Sequence, residues 1–329
     1  MKTFVILITL ITLIVYMLFS TRFINSKGIC KNKHILSPTV LDLEISGLYK
    51  LFNPSITRYD DGYMMCVRYS NKTIKNLFMY MYSELEYKSF ICFIKLDFDM
   101  KIKNIVFPIL KDIPLEDPRI SYNEGKFYVS ITEFNSRKDI HPALYIFNKD
   151  LQLLTILNYN KNDYHILNKP SHIQKNWCPF FVNNIMYLHT DTYPNWNVYK
   201  INSQGNMVNI INYDSKRFFH NCKTKFLRCS TSWKSFSQNT YICGLHTKDF
   251  TCHKFLPTIR TVLVEIDKNT LLPIRKTPIF CIDNKDDTRV QFLSGIEVDD
   301  YYVYLTYGIG DYKIFIKKIS KNHISNLLI

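Results

Sequence analysis

Alanine occurs once in the 329 residues, at Ala143, and glycine only nine times. A chain so poor in the best helix former, yet carrying 23 Tyr, 23 Phe and 3 Trp, favours strands over helical bundles. Charged residues are 21% and hydrophobic residues 47%, an ordinary globular balance that excludes wholesale disorder. No arginine-rich run, zinc-finger spacing or nucleic-acid-binding aromatic signature accompanies the formal charge of +14, so nucleic acid is not the expected partner. The positive field suits a soluble surface or an anionic ligand such as a nucleotide-sugar phosphate. The sequence also lacks a C-x-x-C zinc pair, H-E-x-x-H, a Gly-rich phosphate loop and G-x-S-x-G, and neither a metal nor a cofactor is expected.

One long uncharged run is present, from Thr3 to Ser20 between Lys2 and Arg22, long enough to span a hydrocarbon core of about 30 Å. It exceeds a signal-peptide core and has no small-residue cleavage site before Arg22, which favours an uncleaved transmembrane anchor over a signal peptide. The expected organisation is an anchor over 1–20, a stem over 21–38 and one folded domain over 39–329. Nine cysteines fit a lumenal or extracellular body with some disulfides, and the odd number leaves at least one unpaired within the chain. Asn71-Lys72-Thr73 is a glycosylation sequon, consistent with that placement.

Internal repetition says more. Segments beginning at Asn53, Asp117, Trp177, Ser230 and Ser294 share a polar or small start, an apolar pair, a turn with Gly, Asn, Asp or Gln, and an aromatic-rich alternating strand. The intervals are 64, 60, 53 and 64 residues. Each segment reads as a β-hairpin, and strand-like stretches such as Ser89–Asp97 and Val262–Ile266 supply further strands between them. Four strands per unit and five units predict an all-β, five-bladed β-propeller, which leaves only short protected edges. A β-sandwich with coincidental spacing is the competing fold.

The leading strand of each blade lines a propeller's channel, and ligands bind where the loops form a funnel. Here those starts carry Asn53 and Ser55; Glu116, Asp117 and Arg119; Lys175, Asn176 and Trp177; Arg228 and Ser230; and Ser294 and Gly295, with Tyr307 and Asp311 following. Carboxylates and amides suit sugar hydroxyls, and a Trp ring suits a pyranose face. The plainer reading is that such residues cap strand ends. His189 and His246, on alternating strands, are expected as core or channel-lining residues rather than metal ligands.

The Asn53-Pro54-Ser55 and Arg68 segment, Glu116-Asp117-Pro118-Arg119-Ile120, and Tyr307-Gly308 through Asp311 resemble the motifs of the five-bladed mannoside phosphorylases and hydrolases of glycoside hydrolase family 130 and of related propeller mannosyltransferases. The resemblance spans about Leu51 to Lys318. It implies that Asp117 is the proton donor, directly or through a sugar hydroxyl, in an inverting reaction, and that Asn53, Ser55, Arg68 and Asp311 hold the sugar. It also marks a departure, because Thr190 follows Leu188-His189 where the phosphorylases carry a phosphate-binding arginine. Lys175, Arg228, His246 and Lys248 are the candidates to replace it. Two functions stay open: a membrane-anchored enzyme acting on mannosides or similar glycans, with phosphate or a nucleotide sugar as co-substrate, and a non-catalytic glycan-binding propeller on a membrane or virion surface.

Overall fold

The computed structural model describes residues 40–41, 50–70, 89–110, 112–136, 139–158, 175–202, 204–220, 227–249, 258–282, 291–309 and 313–329. The expected anchor and stem, the Asn71 sequon, Asp311, Cys30, Cys222 and Cys252 lie outside them. Among the described residues no helix is long and apolar enough to cross a membrane.

Five antiparallel sheets make the predicted propeller. The first blade is β2 (Lys50–Tyr59), β3 (Gly62–Ser70), β4 (Ser89–Leu96) and β5 (Ile102–Val106). The second is β6 (Leu115–Asn123), β7 (Lys126–Ser136), β8 (Asp139–Phe147) and β9 (Leu153–Asn158). The third is β10 (Cys178–Val182), β11 (Ile185–Asp191), β12 (Asn195–Ile201) and β13 (Met207–Asp214). In the fourth, the inner strand is broken into β14 (Arg228–Cys229) and β15 (Lys234–Ser235), followed by β16 (Thr240–Asp249), β17 (Thr258–Asp267) and β18 (Pro273–Lys276). The fifth holds β19 (Gln291–Val298), β20 (Tyr302–Ile309) and β21 (Lys313–Ser320), and its outer strand is β1 (Val40–Leu41), from the other end of the chain. Val40 pairs with Lys317 and Leu41 with Ile316, so the ring closes by a non-covalent strand exchange between the two ends of the domain. A short helix, α1 (Lys321–Leu327), capped by Ser320 Oγ accepting from the His323 amide, then buries Ile324, and Leu328 just after it, against blades four and five.

Alternation along the strands buries one apolar set between each pair of neighbouring blades. Phe93, Ile120, Phe127 and Phe147 fill the space between blades one and two; Phe180, Trp196, Trp233 and Val264 that between three and four. Serine and threonine hydroxyls tie the inner strands to one another. Ser55 Oγ accepts from the Ile120 amide at 2.9 Å, Ser121 Oγ donates to the Pro179 carbonyl at 2.7 Å, and Ser294 Oγ and Thr306 Oγ1 donate to the Pro54 carbonyl at 2.8 and 2.6 Å. Gly295 lies against the first blade so closely that a Cβ there would sit 2.7 Å from the Ile56 nitrogen and 2.9 Å from the Ser55 Cα. Toward the hairpin-turn end, Lys234 Nζ pairs with Glu297 at 2.7 Å and donates to Thr57 Oγ1 at 2.8 Å, joining blades four, five and one. That leaves the opposite end, where the inner strands begin, for a site.

Cys66, Cys92, Cys178, Cys229 and Cys243 are buried thiols that form no disulfide, so these five do not supply the cross-links expected of an oxidised body. Burial pushes the Cys92 thiol up to about 12, the signature of an inert packing cysteine.

Candidate active site

Three blades begin their inner strand with the same local distortion. Asn53, Asp117 and Asn176 have positive φ of 50°, 50° and 64°. In the first two the strand pairing slips beside them, between Phe52 and Ser55 and between Glu116 and Arg119. Asn and Asp are the residues that tolerate this left-handed conformation, and a bulge re-aims a side chain that regular pleating would bury. Asn-Pro and Asp-Pro therefore encode a bulge as well as a polar group. Held in sparsely populated backbone, such residues are a familiar feature of functional sites.

The bulges bring together an acid-base cluster where blades one and two meet. Asn53 Nδ2 donates to Asp117 Oδ1 at 2.6 Å. Arg68, on β3, donates through Nη2 to Glu116 Oε1, and its Nη1 lies 3.6 Å from Asp117 Oδ1. Its Nε donates to Ser89 Oγ at 2.6 Å, which in turn donates to the Leu115 carbonyl at 2.7 Å, and its guanidinium stacks 4.5 Å from the Phe52 ring centre. Lys175 Nζ binds Glu116 Oε2 at 3.0 Å and sits 4.5 Å over the Phe134 ring. Burial opposes ionisation of Asp117, yet Arg68, Lys175 and Arg119, together with the Asn53 hydrogen bond, outweigh it and hold the carboxyl below the ordinary carboxylate range. At neutral pH Asp117 is thus ionised while largely buried. Asn53 Oδ1 is buried and has no hydrogen-bond partner among the described residues, an acceptor suited to a ligand.

Arg119 is fully buried and donates to the Pro118 carbonyl at 2.8 Å and to Asn176 Oδ1 at 3.0 Å, linking blades two and three beneath the carboxylates. Its guanidinium lies 5.4 Å from the Phe292 ring centre, and that ring is 4.7 Å from His246. His246 Nδ1 and Ser230 Oγ are 2.7 Å apart. Burial first, then the charges of Arg119 and Arg228, push the His246 pKa down to about 3 against the pull of Asp117, so the imidazole is neutral. His189, expected as a core residue, is buried, accepts from Trp233 Nε1 at 3.1 Å and is likewise pushed to about 3 by burial.

Two expected lining residues have other surroundings. Trp177 is 1% exposed, packed among Leu144, Leu188 and Tyr199 between blades two and three, with no ring face free for a pyranose. Tyr307 is fully buried and stacks on Phe315 at 5.4 Å in the core beside blade five. Strand alternation on β20 sends the Tyr307 ring to the core, whereas Trp177, which precedes β10, is turned inward beside the left-handed Asn176. Ser55 Oγ accepts from the Ile120 amide and so ties blade one to blade two. Asn53, Arg68, Glu116, Asp117 and Lys175 form one connected network; the Arg119–Asn176 pair lies next to it in sequence, and Arg119 faces Phe292 and, through that ring, His246. Sequence reasoning missed Ser89, Phe134 and Phe292; only Phe292 carried a signal, lying three residues before Gly295 at the start of the fifth repeat.

Solved structures share this architecture. Similar to the chain are a β-1,2-mannobiose phosphorylase of Listeria innocua in complex with β-1,2-mannobiose (TM-score 0.58, 11% identity, covering 90% of this chain and 97% of that one), a mannose phosphorylase of Leishmania mexicana in complex with phosphate (0.55, 13%, 89% and 91%), and a glycosyl hydrolase of Bacteroides ovatus (0.55, 12%, 88% and 92%). No protein-family model matches, and no curated protein is similar in sequence.

Proposed function

We propose that this chain is a carbohydrate-active enzyme that moves a mannosyl or similar glycosyl group with inversion, with Asp117 handling the proton. The observation that carries the reading is the largely buried Asp117 carboxylate, presented by a left-handed bulge and held by Asn53 and Arg68. It agrees with the naming of two similar propellers as a β-1,2-mannobiose phosphorylase and a mannose phosphorylase. An ionised Asp117 accepts a proton from an attacking sugar hydroxyl more readily than it donates one to a glycosidic oxygen. In transfer the carboxylate would receive the acceptor's proton, and in cleavage, the reverse, the protonated acid would return it. Inversion requires the acceptor and the departing group on opposite faces of the anomeric carbon. Glu116, neutralised by Arg68 and Lys175, acts as the counter-ion that fixes both cations.

The test is the purified protein incubated with mannobiose plus phosphate, with mannobiose in water, and with mannose 1-phosphate or GDP-mannose plus a mannose acceptor. Turnover is expected with an activated donor and acceptor, giving one anomer. Tight binding with no turnover in any arm selects the second reading, a glycan-binding propeller, which Thr190 in place of the expected arginine favours.

A further inference from the structure

Three buried thiols converge between blades three and four, apart from the acid-base cluster. Cys178 opens β10 and pairs directly with His189 on β11, so the two side chains share a face. That face looks at blade four: His189 accepts from Trp233 Nε1, and Phe180, two residues along β10, stacks on the same indole with 4.0 Å between ring centres. From the other side, Cys229 on β14 pairs with Leu245, part of the core between these two blades. Its Sγ lies 3.3 Å from Thr192 Oγ1, just beyond β11, so it points across the same seam. Cys243, two residues from Leu245 on β16, shares this face but sits on the second strand of its blade. Cys178 and Cys229 each fall within the first two residues of an inner strand and therefore lie at one level. They are hydrogen-bonding neighbours: burial first, then the Cys178 thiol, holds the Cys229 thiol well above its ordinary value.

We infer that Cys178 and Cys229 are a cross-linking site, which a small-molecule disulfide such as glutathione disulfide converts into an intrachain disulfide joining the inner strands of blades three and four. The thiolate of one cysteine attacks a glutathione sulfur, forming a mixed disulfide and expelling one glutathione thiolate. The second cysteine attacks the protein sulfur of that intermediate and expels the other. Two electrons and two protons leave the cysteines and end on two glutathione thiols. Because both thiols are buried, the exchange is slow and takes place in molecules whose seam has opened locally. Cys178 Sγ donates to the Asn176 carbonyl at 3.5 Å, so oxidation also withdraws a donor from the residue whose side chain receives Arg119. The cross-link restricts the unfolded chain, and the oxidised protein resists denaturant better than the reduced one.

The test brings the full-length protein to exchange equilibrium with glutathione disulfide, blocks the remaining thiols with N-ethylmaleimide in denaturant, and maps the peptides by mass spectrometry with and without reduction. The expected product is a peptide pair joining Cys178 to Cys229, two hydrogens lighter than its reduced components and absent after reduction. It should persist in Cys243→Ala and disappear in Cys229→Ala. The oxidised wild type should unfold at a higher denaturant concentration than the reduced protein, a shift that Cys229→Ala lacks. Should that variant not fold, the wild-type peptide map decides alone. The inference is overturned if Cys178 and Cys229 are both recovered blocked by N-ethylmaleimide, if they carry only glutathione, or if Cys178 is joined to Cys243. An unchanged denaturant midpoint in the cross-linked protein overturns the joining of the two strands as a stabilising link.

Discussion

Asp117→Asn should lower turnover by about 10²–10⁴-fold while leaving sugar affinity within a few-fold of wild type. The substitution keeps the shape of the side chain and an oxygen to receive the Asn53 amide, now 2.6 Å from Asp117 Oδ1. What disappears is the basic carboxylate. The loss should therefore fall in kcat rather than KM, the pattern for an interaction made in the transition state. Steady-state kinetics with the active donor and acceptor check it, and an Asp117→Asn variant that turns over at the wild-type rate would refute proton handling by this residue.

Arg68→Met should be the most destabilising substitution in the site, by about 3–5 kcal/mol at pH 7, because removing one partner of a buried ionic cluster leaves charge uncompensated. Methionine replaces much of the volume over Phe52 but none of the bonds to Glu116, Asp117 and Ser89. The pH dependence has a definite sign. In the wild type Asp117 titrates below its unfolded value, so its ionisation stabilises the fold above about pH 4 and that contribution fades as the pH drops through the folded pKa. Without Arg68 the folded pKa rises, and protonation relieves the variant earlier than the wild type. Denaturant midpoints for the two proteins should converge between pH 7 and pH 4. A gap below 1 kcal/mol, or one that does not change with pH, would mean that Arg68 is not the counter-ion of this cluster.

The propeller was legible because each blade repeats a hairpin whose turn is marked by Gly, Asn or Asp, as at Asp61-Gly62 and Glu124-Gly125, and whose return strand alternates. Its closure was not, since the two-residue β1 carries too little pattern to announce a strand. Helix α1 was missed for a similar reason: seven residues holding one buried side chain show no period. Within the site, Asn53, Asp117 and Arg119 were readable as polar residues opening a strand, but the bulges that aim them were not, because left-handed backbone at Asn-Pro and Asp-Pro has no periodic signature. The same gap explains Trp177. Reading the leading strand as uniformly channel-facing put its ring in the funnel, whereas the distortion at Asn176 turns it into the core. Arg68 lies on the second strand of its blade, and its reach to Asp117 depends on packing between blades that no local spacing records.

An ionised Asp117 that receives the sugar should report both its charge and the ligand in its own titration. The most direct measurement is the titration of its carboxyl carbon by NMR in protein labelled at aspartate, with the Asp117→Asn variant giving the assignment, in the absence and presence of a saturating mannoside. The resonance is expected to titrate below the usual carboxylate range in the free protein and to shift in position and pKa when the ligand binds. A carboxyl that titrates at or above its ordinary value, or one that no mannoside disturbs, would contradict it.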